Sequence, residues 1–263
     1  MTPETIGFLD SGIGGLPYLA HLRKSLGGGR FVYAADRVNF PYGEKRREEI
    51  ISATLGVAER LVARENPRLI VVACNTMSVM ALDSLRARFP LPFVGVVPAV
   101  KPAAELSRRR CVGVLATRQT VEGDYLRELI ERHAAGCVVV SLSSAGLVEF
   151  VEKELSGASE EERRERVRQE VARFRAAGID ALVLGCTHFL HLEQEFRLLL
   201  QAEGISLVDS RDGVSHQVAR LLPTGAGPRD GADDAMYLTG PMPLEDRYGW
   251  FARRFGLRLA GAL

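Results

Sequence analysis

Two thiols stand where a buried strand gives way to a helix. Residues 69–77 read LIVVACNTM: apolar, strand-forming residues run into Ala73, and a thiol (Cys74), an amide (Asn75) and a hydroxyl (Thr76) follow. Residues 181–189 read ALVLGCTHF and repeat the arrangement 112 positions later, with Cys186, Thr187 and His188. A helix start offers unpaired N–H groups and a positive dipole end. That setting favours the charged, reactive form of a thiol, which can attack a carbon or take a proton. Cys111 and Cys137 differ, because they sit inside the apolar runs CVGVL and CVVVSL. There a cysteine serves as a small hydrophobe.

Other polar residues fall at similar places. DSGIGG (residues 10–15) is a glycine-rich turn after a strand. Its backbone N–H groups could cradle a phosphate or carboxylate, or it could be a plain tight turn. It lacks the Lys-Ser/Thr of a Walker loop and the full dinucleotide pattern. Asp10 itself would repel phosphate and attract an ammonium group. Tyr42 and Gly43 lie in a polar loop with Pro41. His188 and His191 have no third ligand in sequence, so no metal is expected. Glu152 falls on a helical stretch, where its plain reading is a surface carboxylate. Backbone donors with Asn75, Thr76 and Thr187 suit carboxylates, Asp10 suits an amine, and two thiols could flank one carbon. The set points to a small ligand carrying both an anionic and a cationic end.

The elements that must position these residues alternate. Strands are predicted at 6–9, 30–35, 69–73, 92–97, 111–115, 137–142, 181–184, 205–208 and 236–239. Helices are predicted at 17–26, 46–65, 77–88, 121–133, 146–155, from Ser159 to before Gly178, after 186, at 214–222 and at 244–255. A loop is expected at 223–234. Alternation of this kind predicts an α/β fold with mainly parallel sheets and sites at the carboxyl ends of the strands. IGFLDS at residue 6 echoes VGVLAT at residue 112, and LIVVACNT echoes ALVLGCTH. The echo predicts two similar doubly wound α/β domains, 1–97 plus 208–263 and 98–207.

The bulk properties narrow the function classes. A chain of 263 residues with 46% hydrophobic and 25% charged residues is ordinary for a globular protein. A net charge of +1 gives no electrostatic reason to expect nucleic acid or a membrane surface as partner. The start, MTPETIGFLDSGIGG, has no basic stretch followed by an apolar run, and no apolar run is long enough for a membrane span, so a cytoplasmic protein is expected. Four cysteines without CxxC spacing argue against a disulfide framework, a zinc site or a redox motif.

Taken in order and spacing, DSGIGG (10–15), PYG (41–43), ACNT (73–76) and GCTH (185–188) resemble the glutamate racemases, of the cofactor-independent aspartate/glutamate racemase superfamily. The resemblance runs from IGFLDSG to the tail MYLTG…FARRFG. It implies two α/β domains related by a pseudo-twofold, with the active site in the cleft between them. It implies that Cys74 and Cys186 are the catalytic pair, Cys74 serving the D-enantiomer and Cys186 the L-enantiomer. Substrate contacts fall on Asp10, Ser11, Tyr42, Gly43, Asn75, Thr76, Thr187 and His188, and Thr117 and Thr120 line the same cleft. Auxiliary acid groups fall on Asp10, His188 and Glu152, with Glu149 competing for the last place. Many members carry Cys-Pro ahead of that glutamate, whereas this chain reads LSSAGLVEFVEKEL. The resemblance further implies no cofactor, a homodimer, and D-glutamate supplied for peptidoglycan in a bacterial cytoplasm. Aspartate racemisation and non-catalytic amino-acid binding are the alternatives, and retention of both thiols speaks against the second.

Overall fold

The computed structural model describes residues 4–222 and 233–263. Most of the loop expected at 223–234 therefore lies outside the described residues. In chain order the strands are β1 (Thr5–Asp10), β2 (Arg30–Ala35), β3 (Leu69–Val72), β4 (Phe93–Gly95), β5 (Cys111–Ala116), β6 (Val138–Ser143), β7 (Ala181–Leu184), β8 (Ser206–Val208), β9 (Ala235–Leu238) and β10 (Arg258–Ala262). They form a six-stranded sheet, β10-β9-β2-β1-β3-β4, and a four-stranded sheet, β6-β5-β7-β8. All the pairings are parallel, so the connections cross over through helices. The chain divides into two compact units, Met1–Val96 with Arg211–Leu263, and Val97–Ser210.

In the first unit, β1 and β3 are almost wholly buried, as strands covered on both faces must be. Leu9, Val32, Ala34, Ile70 and Val72 pack in one core with Ile50, Val57 and Leu61 of the helix Arg47–Glu65 and with Met77 and Leu85 of the helix Asn75–Arg88. The helix Leu16–Leu26 takes Pro17 in its first turn, where no N–H is needed, and stops at Gly27 with φ 66°. The helix Arg211–Leu221 packs beside it, with His21 Nε2 3.0 Å from Asp212. β9 then pairs with β2, and β10 with β9. The return to this unit starts at Arg211 rather than at 208, because Val208 is still paired to Val183 in β8.

In the second unit, Val112, Val114, Ala116 and Val183 pack in one core with Ala103, Ala104 and Leu126. Ala103 and Ala104 belong to a helix, Val100–Leu106, in a stretch where the sequence reading placed no element. Pro102 falls in its first turn, where a missing N–H costs no helical bond. The helix expected at 121–133 is two, Arg118–Glu122 and Asp124–His133, meeting at Gly123. Ser159 and Glu162 form a capping box at the head of the helix Glu160–Arg175.

The echo in sequence is an echo in register. Ile6 pairs with Leu69 and Leu9 with Val72, while Val112 pairs with Ala181 and Leu115 with Leu184. Just beyond, the Ala73 N–H donates to Leu9 O at 2.7 Å and the Gly185 N–H to Leu115 O at 2.7 Å. The four-stranded sheet and the β2-β1-β3-β4 part of the six-stranded one both run 2-1-3-4 in chain order, so the order reverses between β1 and β3 and again between β5 and β7. Such switch points open a crevice at the carboxyl ends of the strands. Asp10, Cys74, Thr117 and Cys186 all sit at or just past those ends. Among the described residues no helix is long and apolar enough to cross a membrane.

Candidate active site

Cys74 is the last extended residue (φ −138°, ψ 125°) before the helix Asn75–Arg88, and its side chain does not cap that helix. The sulfur is left for other partners. Ser11 Oγ lies 3.7 Å from Cys74 Sγ and 3.1 Å from Asp10 Oδ1. With the Ser11 proton on the carboxylate, the serine oxygen can accept from the thiol. Asp10 is fully buried, and its Oδ1 also accepts from the Gly12 N–H at 3.2 Å. Its Oδ2 accepts from Tyr33 Oη at 3.1 Å. Gly15 packs so close that a Cβ there would stand 2.4 Å from Ala73 Cβ and 2.8 Å from Asp10 Oδ2. Glycine at 15 is therefore required by space between the Asp10 turn and the residue before Cys74. Asn75 and Thr76 are buried in the first turn of their helix, and Asn75 Oδ1 has no hydrogen-bond partner among the described residues. An orphaned buried amide oxygen costs about 1–3 kcal/mol, which a polar ligand can recover.

Tyr42 opens the short 3-10 turn Tyr42–Glu44, which also contains Gly43. Its hydroxyl donates to Asp36 Oδ2 at 2.6 Å. Burial first, then the Asp36 charge and this hydrogen bond, push the Tyr42 hydroxyl far above its ordinary range, so it remains a neutral donor. Asp36 is itself buried and also accepts from Asn39 Nδ2 at 2.9 Å and Thr239 Oγ1 at 2.7 Å. Sequence reasoning passed over Asp36 and Tyr33. The available signal for Asp36 was an acid directly after β2, the position that Asp10 holds at the end of β1. Tyr33 gave no signal apart from its hydroxyl, because an aromatic in a buried strand reads as core.

Cys186 repeats the Cys74 backbone (φ −133°, ψ 133°) ahead of a 3-10 helix, Thr187–Leu192. His188 Nδ1 lies 3.9 Å from Cys186 Sγ, and Nε2 lies 2.9 Å from Glu152 Oε2. Thr187, His188 and Glu152 are all buried. Burial opposes a charge on His188. Hydrogen bonds to Cys186 and Glu152, and electrostatic attraction toward both groups, outweigh it and hold the imidazole well above its usual range. Glu152 reaches this place from a π-helical turn, Phe150–Glu154, that follows the helix Ala145–Glu149. Such turns often occur at functional sites. Glu149, the competing position, lies at the surface with Lys153 Nζ 2.6 Å away. Thr117 caps the helix Arg118–Glu122, accepting from the Thr120 N–H, and shares a 3.0 Å hydrogen bond with the Thr120 hydroxyl. In the strand register Thr117 takes the place of Ser11 and Ala116 that of Asp10. Each unit thus carries one thiol at a strand end, with different company: a hydroxyl and a carboxylate for Cys74, an imidazole and a carboxylate for Cys186. Among the described residues no group of three His, Cys, Asp or Glu could hold a metal ion.

A family model for Asp/Glu/hydantoin racemases matches residues 19–213. The chain is 42% identical over 258 residues to the glutamate racemase of Treponema pallidum, covering 97% of this chain and 95% of that one. It is 40% identical to that of Klebsiella pneumoniae, over 94% of this chain and 89% of the relative. Among solved structures, Escherichia coli glutamate racemase, in complex with L-glutamate and the activator UDP-MurNAc-Ala, superposes with a TM-score of 0.90 at 35% identity, covering 100% of this chain and 98% of that one.

Proposed function

We propose that this chain, which belongs to the Asp/Glu/hydantoin racemase family, interconverts L-glutamate and D-glutamate by moving a proton at Cα between two thiols. The observation that supports this most directly is the pair of strand-end cysteines, one in each unit, each with its own acid–base partner. Identity of about 40% to glutamate racemases over nearly the whole chain gives the substrate.

Racemisation takes the α-proton from one face and returns a proton to the other. The reaction as proposed uses no cofactor, so the carbanion-like charge must be met by hydrogen bonds in a dry site. One cysteine starts as thiolate and abstracts, the other starts as thiol and donates, and turnover exchanges their states. Near Cys74, Ser11 and Asp10 form a short relay from the sulfur to a fixed carboxylate. Near Cys186, the His188 cation stands beside the sulfur where negative charge arises, with Glu152 balancing it. Asn75, Thr76 and Thr187, with the backbone at Gly43, supply donors for the substrate carboxylates, Asp10 suits its ammonium, and Tyr42, whose hydroxyl proton goes to Asp36, lines the site. Thr117 and Thr120 complete the lining. The family relation assigns Cys74 to D-glutamate and Cys186 to L-glutamate. The same reading includes a homodimer in a bacterial cytoplasm, with neither nucleic acid nor membrane as partner, making D-glutamate for peptidoglycan.

The test is to incubate the protein with L-glutamate, D-glutamate and L-aspartate, without added cofactor, and follow circular dichroism. Both glutamate samples should converge on the racemate. Unchanged glutamate rejects the proposal, and faster loss of L-aspartate signal transfers the chain to aspartate racemisation.

A further inference from the structure

We infer that Tyr33 is a positioning residue for the Cys74 half of the reaction, acting through Asp10. This role rests on the proposed racemase function. Tyr33 is fully buried in β2, directly opposite Phe8 of β1, and the two rings stack at 6.3 Å and 20°. A phenylalanine would satisfy that packing, so the hydroxyl is the part that packing leaves unexplained. It accepts from the Gly15 N–H at 3.0 Å, and its single proton faces Asp10 Oδ2 at 3.1 Å and Gly12 O at 2.9 Å. All three partners belong to the DSGIGG turn. The hydroxyl therefore pins the turn at both ends and holds one carboxylate oxygen of Asp10. The other oxygen accepts from the Gly12 N–H and from Ser11, whose hydroxyl reaches Cys74.

The second unit supplies an internal control. The register that pairs Phe8 with Tyr33 pairs Val114 with Ser141, and the position of Asp10 is taken by Ala116. Carboxylate and tyrosine hydroxyl are absent together from the unit where Cys186 has His188 instead. Their joint presence is what a positioning pair requires, and strand packing alone does not call for it. Without the hydroxyl, Asp10 can rotate away from Ser11, and small displacements of a group that handles protons cost rate more than binding.

The experiment is Tyr33→Phe, assayed in both directions with protiated and α-deuterated glutamate. We expect kcat to fall about tenfold with KM changed less than about twofold. The α-deuterium isotope effect should rise for the enantiomer whose proton Cys74 removes and fall for the other, because only one half of the reaction is slowed. In an Asp10→Asn background, Tyr33→Phe should add less than about a twofold loss. A merely structural tyrosine would lower thermal stability without the opposed isotope effects and would act equally in both backgrounds; either result overturns the role. If Tyr33→Phe does not fold, 3-fluorotyrosine in place of Tyr33 keeps the ring and changes the donor strength. The isotope effects should again move apart, and unaltered isotope effects overturn the role. A wild-type chain inert toward glutamate overturns the proposed function and this role with it. An active wild type matched by Tyr33→Phe overturns this role alone.

Discussion

His188 and Glu152 form a buried ion pair, and such a pair ties stability to pH. The folded-state pKa of His188 lies above its unfolded value of about 6.5. Its stabilising contribution is therefore complete below about pH 6.5 and is lost as pH rises through the folded value. Urea unfolding at a series of pH values should show stability declining above neutrality for this reason. Glu152→Gln removes one of the charges that hold the proton on His188, so the decline should end at a lower pH and be smaller in total. The same change leaves a buried cation without its partner and should cost about 3 kcal/mol, together with most of the activity. Glu149→Gln is the matched control. Its pair with Lys153 is exposed at 58% and 50% of the two side chains, so stability should change by less than about 0.5 kcal/mol and activity should not change. From sequence the two glutamates looked alike, three residues apart on one helical stretch. Glu152 falls with Leu147, Val148, Val151 and Leu155 on the buried side of this stretch and Glu149 on the outer side, and nothing in LVEFVEKEL marks which of the two carboxylates turns inward.

At the level of elements, the two strand–thiol–helix units were legible because each combines a fully apolar strand with an abrupt run of hydrogen-bonding residues. Three kinds of element were not. Val100–Leu106 was hidden by Pro102 within it and Pro98 just before it. β10 was hidden because RLAGA has little apolar alternation and carries a register shift between Leu259 and Gly261. The break at Gly123 was hidden because helical periodicity continues across it. The DSGIGG turn was legible as glycine-rich, but its purpose was not. Phosphate cradling and plain turning both fit the sequence, whereas the structure gives Gly15 a third reason, the closeness of Ala73 and Asp10. Gly15→Ala should therefore destabilise the protein by about 2 kcal/mol, since backbone and a buried side chain must move to admit the methyl group. It should also lower kcat, because the displaced groups adjoin Cys74. Gly146→Ala, in the helix Ala145–Glu149 with open space at the added carbon, should instead stabilise by about 0.5 kcal/mol. Thermal unfolding of the two variants side by side tests whether space, rather than loss of a glycine as such, decides the sign.

Across the whole molecule, one strand pattern is used twice, with the same order and the same register, and it carries a thiol at the same place each time. The duplication extends to the backbone angles of Cys74 and Cys186 but not to their neighbours. Racemisation accounts for both facts. In the proposed scheme a proton is exchanged at the substrate carbon on two sides by chemically equal groups, while the rest of an amino acid is not symmetric and needs unlike contacts. A two-thiol reaction leaves a distinct isotopic record. In deuterium oxide, starting from L-glutamate, the D-glutamate formed should carry solvent deuterium at Cα, because its hydrogen comes from the thiol opposite the one that abstracted. Recovered L-glutamate should remain almost unlabelled at early times. A single base working on both faces would instead return the original hydrogen or label both enantiomers alike. Cys74→Ala and Cys186→Ala should each reduce racemisation by about 10³-fold or more, since each removes a group that transfers a proton in every turnover. Both variants should keep the wild-type far-ultraviolet circular dichroism, because neither sulfur caps the helix that follows it. Mass spectrometry of the two glutamate pools, with the rates of the two variants, decides the matter: label in both pools from the start, or wild-type turnover in either variant, would exclude a thiol on each face.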